Sequence, residues 1–322
     1  MKKIYSTIAI LAISSLAFLS SCSNNNEEEM ITPVSPDVTV TLNENSNTSE
    51  TKMLYVKRDK MNAVVQVNGI TNTTKDLKRI YVYKKVTTLT GGTITTVDYV
   101  NYNGSGFKKE FGSSTNYYYE IPSDQKNNAS LTLTLTLNAN NTAAISDEYY
   151  FAFTDGTDFV GPADTNGMLL GPAKIVVVYG ALSETTGHKL NNINGPNSGA
   201  FDLENLSNRA GSDAADGKDM VDADAATALW EKSFNAGTSG TLFAKIPAGF
   251  DYDNATDMSI KAAYDAANTA NSTQLNVAKG YMYVAKYNST KYALIKVTSI
   301  SDETNGFGPG LNNEFMEFSV KK

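Results

Sequence analysis

Cysteine, histidine and tryptophan each occur once in the 322 residues. One cysteine excludes an intramolecular disulfide and any cysteine-based zinc cluster. One histidine excludes a multi-histidine metal site within the chain. Charged residues are also sparse, at 19% against about 25% in an average soluble protein. Basic residues are outnumbered, 27 to 34, for a net charge of −7. No Lys/Arg cluster stands out, which argues against nucleic acid as a partner, because phosphate attraction needs basic patches. There is no P-loop, no dinucleotide fingerprint, no His-Glu-x-x-His and no Gly-x-Ser-x-Gly. Tyrosine and phenylalanine are plentiful, at 18 and 13. With 41% hydrophobic residues, the chain can build a real core and is not disordered throughout.

The N-terminus carries the most specific pattern. Lys2 and Lys3 precede an apolar run, Ile8 to Leu19, broken only by small residues. It is too short for an ordinary membrane span and reads as a signal peptide over residues 1–21. It ends in Leu19-Ser20-Ser21-Cys22. Small side chains suit a peptidase cleft, and the thiol is the nucleophile that takes lipid. The pattern resembles the lipobox of bacterial lipoproteins, which implies lipidation at Cys22 and a membrane anchor there. Ser23-Asn24-Asn25-Asn26-Glu27-Glu28-Glu29 has nothing to bury, so residues 22–36 are expected to be a solvated acidic tether. This run resembles the export signal of Bacteroidota surface lipoproteins. That resemblance implies an outer-membrane protein facing the cell exterior, and periplasmic attachment is the alternative.

Beyond the tether, hydrophobicity alternates with period two. Val38/Val40, Ala63–Val67, Ile80/Val82 and Ile94–Tyr102 read as strands, with Gly91-Gly92 as a hairpin turn. In Leu131-Thr132-Leu133-Thr134-Leu135-Thr136-Leu137 the leucines share one face and the threonines the other. With Glu148–Thr154 and Lys174–Tyr179, residues 37–180 are expected to form an antiparallel immunoglobulin-like β-sandwich. Residues 181–198 are rich in turn formers and read as a linker. Residues 199–322 read as a β-rich α+β domain. It has a short helix near Ala223–Trp230 and a second one capped by Thr256 or Asp257 and running to about Ala267. Strands are expected at 200–203, 241–246, 281–286, 292–300 and 315–320. The fold class is therefore mainly β.

Three constellations could carry chemistry. Tyr117 and Tyr119 in Asn116–Glu120, and Tyr149 in Asp147–Phe151, could stack on sugar faces. Strand alternation offers a simpler account, with every second ring in the core and the others on the outer sheet face. A structural calcium is the best metal candidate, since oxygen ligands are plentiful. It would sit at Asp213, Asp216 and Asp219, or at Asp251, Asp253 and Asp257, with Asp155, Asp158 and Asp164 as a weaker set. Turn-forming acids are the simpler reading of all three. His188 falls in the expected linker and reads as an exposed loop histidine. No other cofactor is expected.

The stretch Tyr281–Lys322 is similar to the closing strands of HmuY-like haem-binding lipoproteins. The likeness rests on Tyr-x-Val-x-Lys, Lys-Tyr-Ala-Leu-Ile-Lys-Val-Thr and Glu-Phe-Met-Glu-Phe-Ser-Val. That family holds haem through axial side chains, often paired histidines, so here Met282 or Met316 would have to serve. The leading expectation is a non-enzymatic surface lipoprotein that binds a glycan-like nutrient or an outer-membrane transporter. A structural or adhesive protein without a small ligand is the alternative, and a surface hydrolase is the third.

Overall fold

Leu131, Leu133 and Leu135 are buried, while Ser130, Thr132, Thr134 and Thr136 between and beside them are exposed. A pleated strand sends successive side chains to opposite faces, so this segment has one dry face and one wet face. A computed structural model of the chain describes residues 35–43, 50–71, 76–113, 115–156, 173–210, 213, 217–223, 231–267, 269–302 and 312–322. The described residues are mainly β, in several sheets, with one α-helix. Residues Ser35–Lys322 form one compact unit.

The first ten strands are β1 (Val38–Asn43), β2 (Thr51–Val56), β3 (Asn62–Ile70), β4 (Arg79–Thr90), β5 (Thr93–Asn101), β6 (Lys108–Lys109), β7 (Tyr117–Glu120), β8 (Asn128–Thr136), β9 (Ala144–Thr154) and β10 (Ala173–Tyr179). They make a three-stranded sheet, β1-β3-β8, and a larger sheet ordered β2-β10-β9-β4-β7-β6 with β5 paired to β4. Val65, Leu133 and Leu135 from the first sheet and Ile80, Phe151 and Ile175 from the second share one core cluster. The hairpin between β4 and β5 turns at Gly91 and Gly92, both with positive φ, as a tight primed turn requires. Two pairings depart from the antiparallel expectation: β1 runs parallel to β3, and β2 runs parallel to β10. The chain changes sheet at β2 and returns at β3, so β1 and β3 point the same way. Alternation reports which face is buried and is silent on strand direction.

The second half holds β11 (Glu184–Asn191), β12 (Ala200–Asp202), β13 (Ser207–Arg209), β14 (Met220–Asp222), β15 (Phe234–Asn235), β16 (Leu242–Ile246), α1 (Asp257–Ala266), β17 (Ala270–Asn271), β18 (Thr273–Gln274), β19 (Met282–Tyr287), β20 (Lys291–Ser301) and β21 (Phe315–Lys321). Its sheets are ordered β11-β21-β20-β19-β16-β17 and β13-β12-β14-β15-β18. The six-stranded sheet is covered on both faces. On one, Phe243, Tyr283, Ile295 and Phe318 pack with Phe201 and Phe234 of the smaller sheet. On the other, Ala244, Met282, Val284 and Leu294 pack with Ile260 of α1. Thr256 caps α1 through the Ser259 N–H, and the Ser259 hydroxyl returns a bond from the Thr256 N–H, a reciprocal box.

Residues 184–191, expected within the linker, are a strand hydrogen-bonded to β21. The register slips between Thr185 and His188, where Gly187 has positive φ. A bulged edge strand with a polar outer face shows no alternation to read. The helix expected near Ala223–Trp230 lies almost wholly outside the described residues. The two halves meet at Arg58. It donates to Asn141 O and Ala144 O of the first half and, through Nε and Nη2, to the Asp257 carboxylate of the second.

Candidate functional site

The residues expected to form a sugar platform do not form one. Tyr149 is fully buried, and its hydroxyl donates to Thr136 O at 2.9 Å. Alternation on β9 turns its ring into the core, so it offers no face to a ligand. Tyr119 is half-buried against the same core and meets Phe107 edge-on at 5.9 Å. Tyr117 is half-buried, and its N–H donates to Asn101 Oδ1 at 2.6 Å. Tyr119 and Tyr149 are joined through the packed rings of Phe107 and Tyr102.

Nor do the acidic residues converge. Asp213 closes its own turn with Ala210, and Asp216 lies outside the described residues. Asp219 is buried, and its oxygens accept from the Leu203 N–H and the Thr241 hydroxyl, each at 2.9 Å. Asp251 caps Asn254 through two hydrogen bonds. The backbone carbonyl of Asp253 accepts from Lys321 Nζ, and Asp257 takes Arg58. The carboxylates of Asp213, Asp219, Asp251 and Asp257 are occupied by turn, cap, buried hydrogen-bond and ion-pair contacts in different directions. Among the described residues, no three His, Cys, Asp or Glu side chains gather as a metal group. Asp155 is described and engaged, while Asp158, Asp164 and Cys22 fall outside the described residues. Met282 and Met316 are both buried in core clusters, at 5% and 1% exposure, so neither presents its sulfur to a haem. His188 is half-buried rather than a loop residue. Its ring lies 5.0 Å from Phe201 and 5.7 Å from Phe318, and Nε2 meets the Thr185 hydroxyl at 2.8 Å. Burial pushes its imidazole below the ordinary value.

A cleft of about 530 Å³ opens instead where β11, β13 and the start of β21 meet. Lys189 and Asn191 share one face of β11, two residues apart, and Asn191 lies opposite Phe315 in the register. Lys189 Nζ sits 4.1 Å over the Phe315 ring, a cation–π contact. Asn191 Nδ2 donates to Ser198 O at 3.0 Å, and Asn208 Nδ2 donates to Lys189 O at 2.6 Å. Each bond fixes an amide plane and leaves Oδ1 as an acceptor. Asn197, Ser198 and Asn313 complete the polar wall. A half-buried aromatic edge ringed by oriented amides, a hydroxyl and one cation suits a neutral or acidic polyol. Its sequence signal was the density of asparagine over residues 191–197, which also reads as turn chemistry.

Two other cavities differ in character. One, of about 580 Å³, is apolar and lies between α1 and the segment after β16, lined by Ile246, Pro247, Phe250 and Ala263. The other, of about 340 Å³, is acidic, with Asp202, Glu204, Asp219 and Arg209 in its wall. There, burial pushes the Asp219 carboxyl above its ordinary value, with Asp202 and Glu204 adding to it. Burial acts the same way on Asp202. Bonds from Asn205 and Arg209 outweigh it and hold Asp202 low. Both carboxylates are committed to structural donors. No protein-family model matches the chain, and comparison with curated protein sequences finds no match.

Proposed function

We propose that the chain is a non-enzymatic lipoprotein, anchored in the outer membrane through Cys22 and facing the exterior, that binds a glycan-like nutrient. It could do so alone or as an accessory to an outer-membrane transporter. The observation that carries the reading is the amide-lined cleft beside Phe315 and Lys189. Its oriented acceptors fit the hydroxyl donors of a sugar, and its ammonium fits an acidic one. The first half fits an immunoglobulin-like sandwich that serves as a spacer, since two sheets share one core.

A glycan array probed with the detergent-solubilised lipoprotein tests the binding. Asn191→Ala and Phe315→Ala should each weaken a positive signal about tenfold, the equivalent of one lost hydrogen bond or packing contact. Retained binding in both variants moves the ligand elsewhere. Cys22→Ala should release the protein from membranes, and persistence in the membrane fraction would defeat the lipoprotein reading. One observation favours the adhesive alternative: Phe111, Ile94 and Val97 are exposed at or near hairpin turns. Apolar side chains held in water suit a macromolecular contact.

A further inference from the structure

Glu314 is fully buried. Its Oε2 accepts from Asn192 Nδ2 at 3.1 Å, and its Oε1 has no donor. Among the described residues no Lys, Arg or His pairs with it. Burying a carboxylate without a counter-charge is costly, and proteins resolve such groups by protonating them or by binding a cation. A second orphan lies close in the chain: Asn312 Oδ1 is also buried without a donor.

Both residues pack on one turn. The Asn192 N–H donates to Glu314 O at 2.9 Å, and Asn312 Nδ2 donates to Asn194 O at 3.2 Å. At Gly195 an added Cβ would lie 1.8 Å from Asn312 O and 3.2 Å from Asn192 O. Glycine at 195 is what lets the Asn312 carbonyl approach the turn so closely, beside an Asn192 carbonyl that accepts from the Gly195 N–H. Every unsatisfied group at this junction is an oxygen acceptor. Orphan acceptors are satisfied by a donor or by a cation, and no donor among the described residues reaches these two.

We propose that the Asn192–Gly195 turn and the Asn312–Glu314 segment bind a hard divalent cation of the calcium type. Glu314 Oε1 and Asn312 Oδ1 are its side-chain ligands. Calcium accepts this mixture of carboxylate, amide and backbone oxygens with water in an irregular shell, whereas magnesium demands a strict octahedron. One carboxylate places the affinity at the weak end, on the order of 0.1–1 mM, the range of extracellular modules. The site is distinct from the aspartate clusters that the sequence suggested. It does not depend on the glycan reading.

The test is thermal unfolding of the full chain after chelation, titrated with calcium or magnesium, together with terbium luminescence as a direct binding signal. Calcium at about a hundred times its Kd should shift the folding equilibrium about a hundredfold toward the native state. Magnesium should do less. Glu314→Gln should abolish the calcium response and, without metal, be no less stable than the wild type, because the unpaired charge is gone. Should that variant misfold, Asn312→Gly serves: Asn312 has positive φ, which glycine tolerates, and loss of Oδ1 should weaken calcium at least severalfold. No calcium shift and no terbium signal in the wild type would overturn the proposal. A full calcium response in Glu314→Gln would overturn it as well, by placing the ion elsewhere.

Discussion

Strand β8 and strand β19 solve the same problem in opposite ways. In β8, buried and exposed residues alternate without a break. In β19, Met282, Tyr283, Val284 and Ala285 are all buried in succession. The first strand belongs to a sheet with one core face. The second is central in a sheet with the smaller sheet on one side and α1 on the other. Periodicity reports how many faces are covered, so a strand buried twice loses the pattern that identifies a strand buried once.

The contrast can be broken residue by residue. Phe318→Ala, which empties the aromatic cluster of the doubly covered sheet, should cost about 4 kcal/mol, and Leu133→Ala about 3 kcal/mol, in urea unfolding. The sharper comparison uses neighbours. Thr134→Val on the wet face of β8 should stay within about 0.5 kcal/mol of wild type. Val284→Thr and Tyr283→Ala should both destabilise clearly, because neither face of β19 is wet. Equal tolerance at 283 and 284 to that at 134 would refute double coverage.

Gly69 tests how tightly the first core is closed. A Cβ there would lie 2.9 Å from the Phe153 ring, so Gly69→Ala should cost about 1–3 kcal/mol. Arg58→Ala should cost about 1 kcal/mol, a figure discounted because Asp257 is partly in solvent. Its more telling readout is calorimetric. The wild type should unfold in one transition, and the variant should begin to separate the two halves. The smallest effect is protonation of His188. Its native value is depressed by burial, so the unfolded chain takes the proton first as pH falls. The ring's contribution is full above about pH 6.5 and is lost as pH falls below that. Between pH 7.5 and 5.5, wild type should lose no more than about 0.5 kcal/mol relative to His188→Gln.

Local signals were legible where one physical rule acted alone. Leu131–Leu137 displayed its buried face, Gly91-Gly92 its turn, and Thr256 its helix cap. Glu184–Asn191 was not legible, because an edge strand bulged at Gly187 resembles a loop in composition. The parallel pairings of β1 and β2 were invisible, since direction follows from sheet switching. The cleft was hidden for another reason: it joins Lys189 and Asn191 to Asn208, Asn313 and Phe315, and the asparagine run 191–197 marks only one wall of residues that meet after the sheet closes. Tyr149 lies in the core, as the simpler reading by alternation had it, and only the sugar-stacking reading of its run fails.

Strand β21 sits between β11 and β20, although β11 opens this half of the chain and β21 is made last within it. Sheet order and synthesis order therefore disagree. At about 5–20 residues per second, the interval between the two strands leaves a ribosome in a time on the order of ten seconds. Throughout that interval β11 lacks its sheet partner and the six-stranded sheet cannot close. The second half thus carries a built-in delay, set by the order in which its strands are made rather than by any single contact.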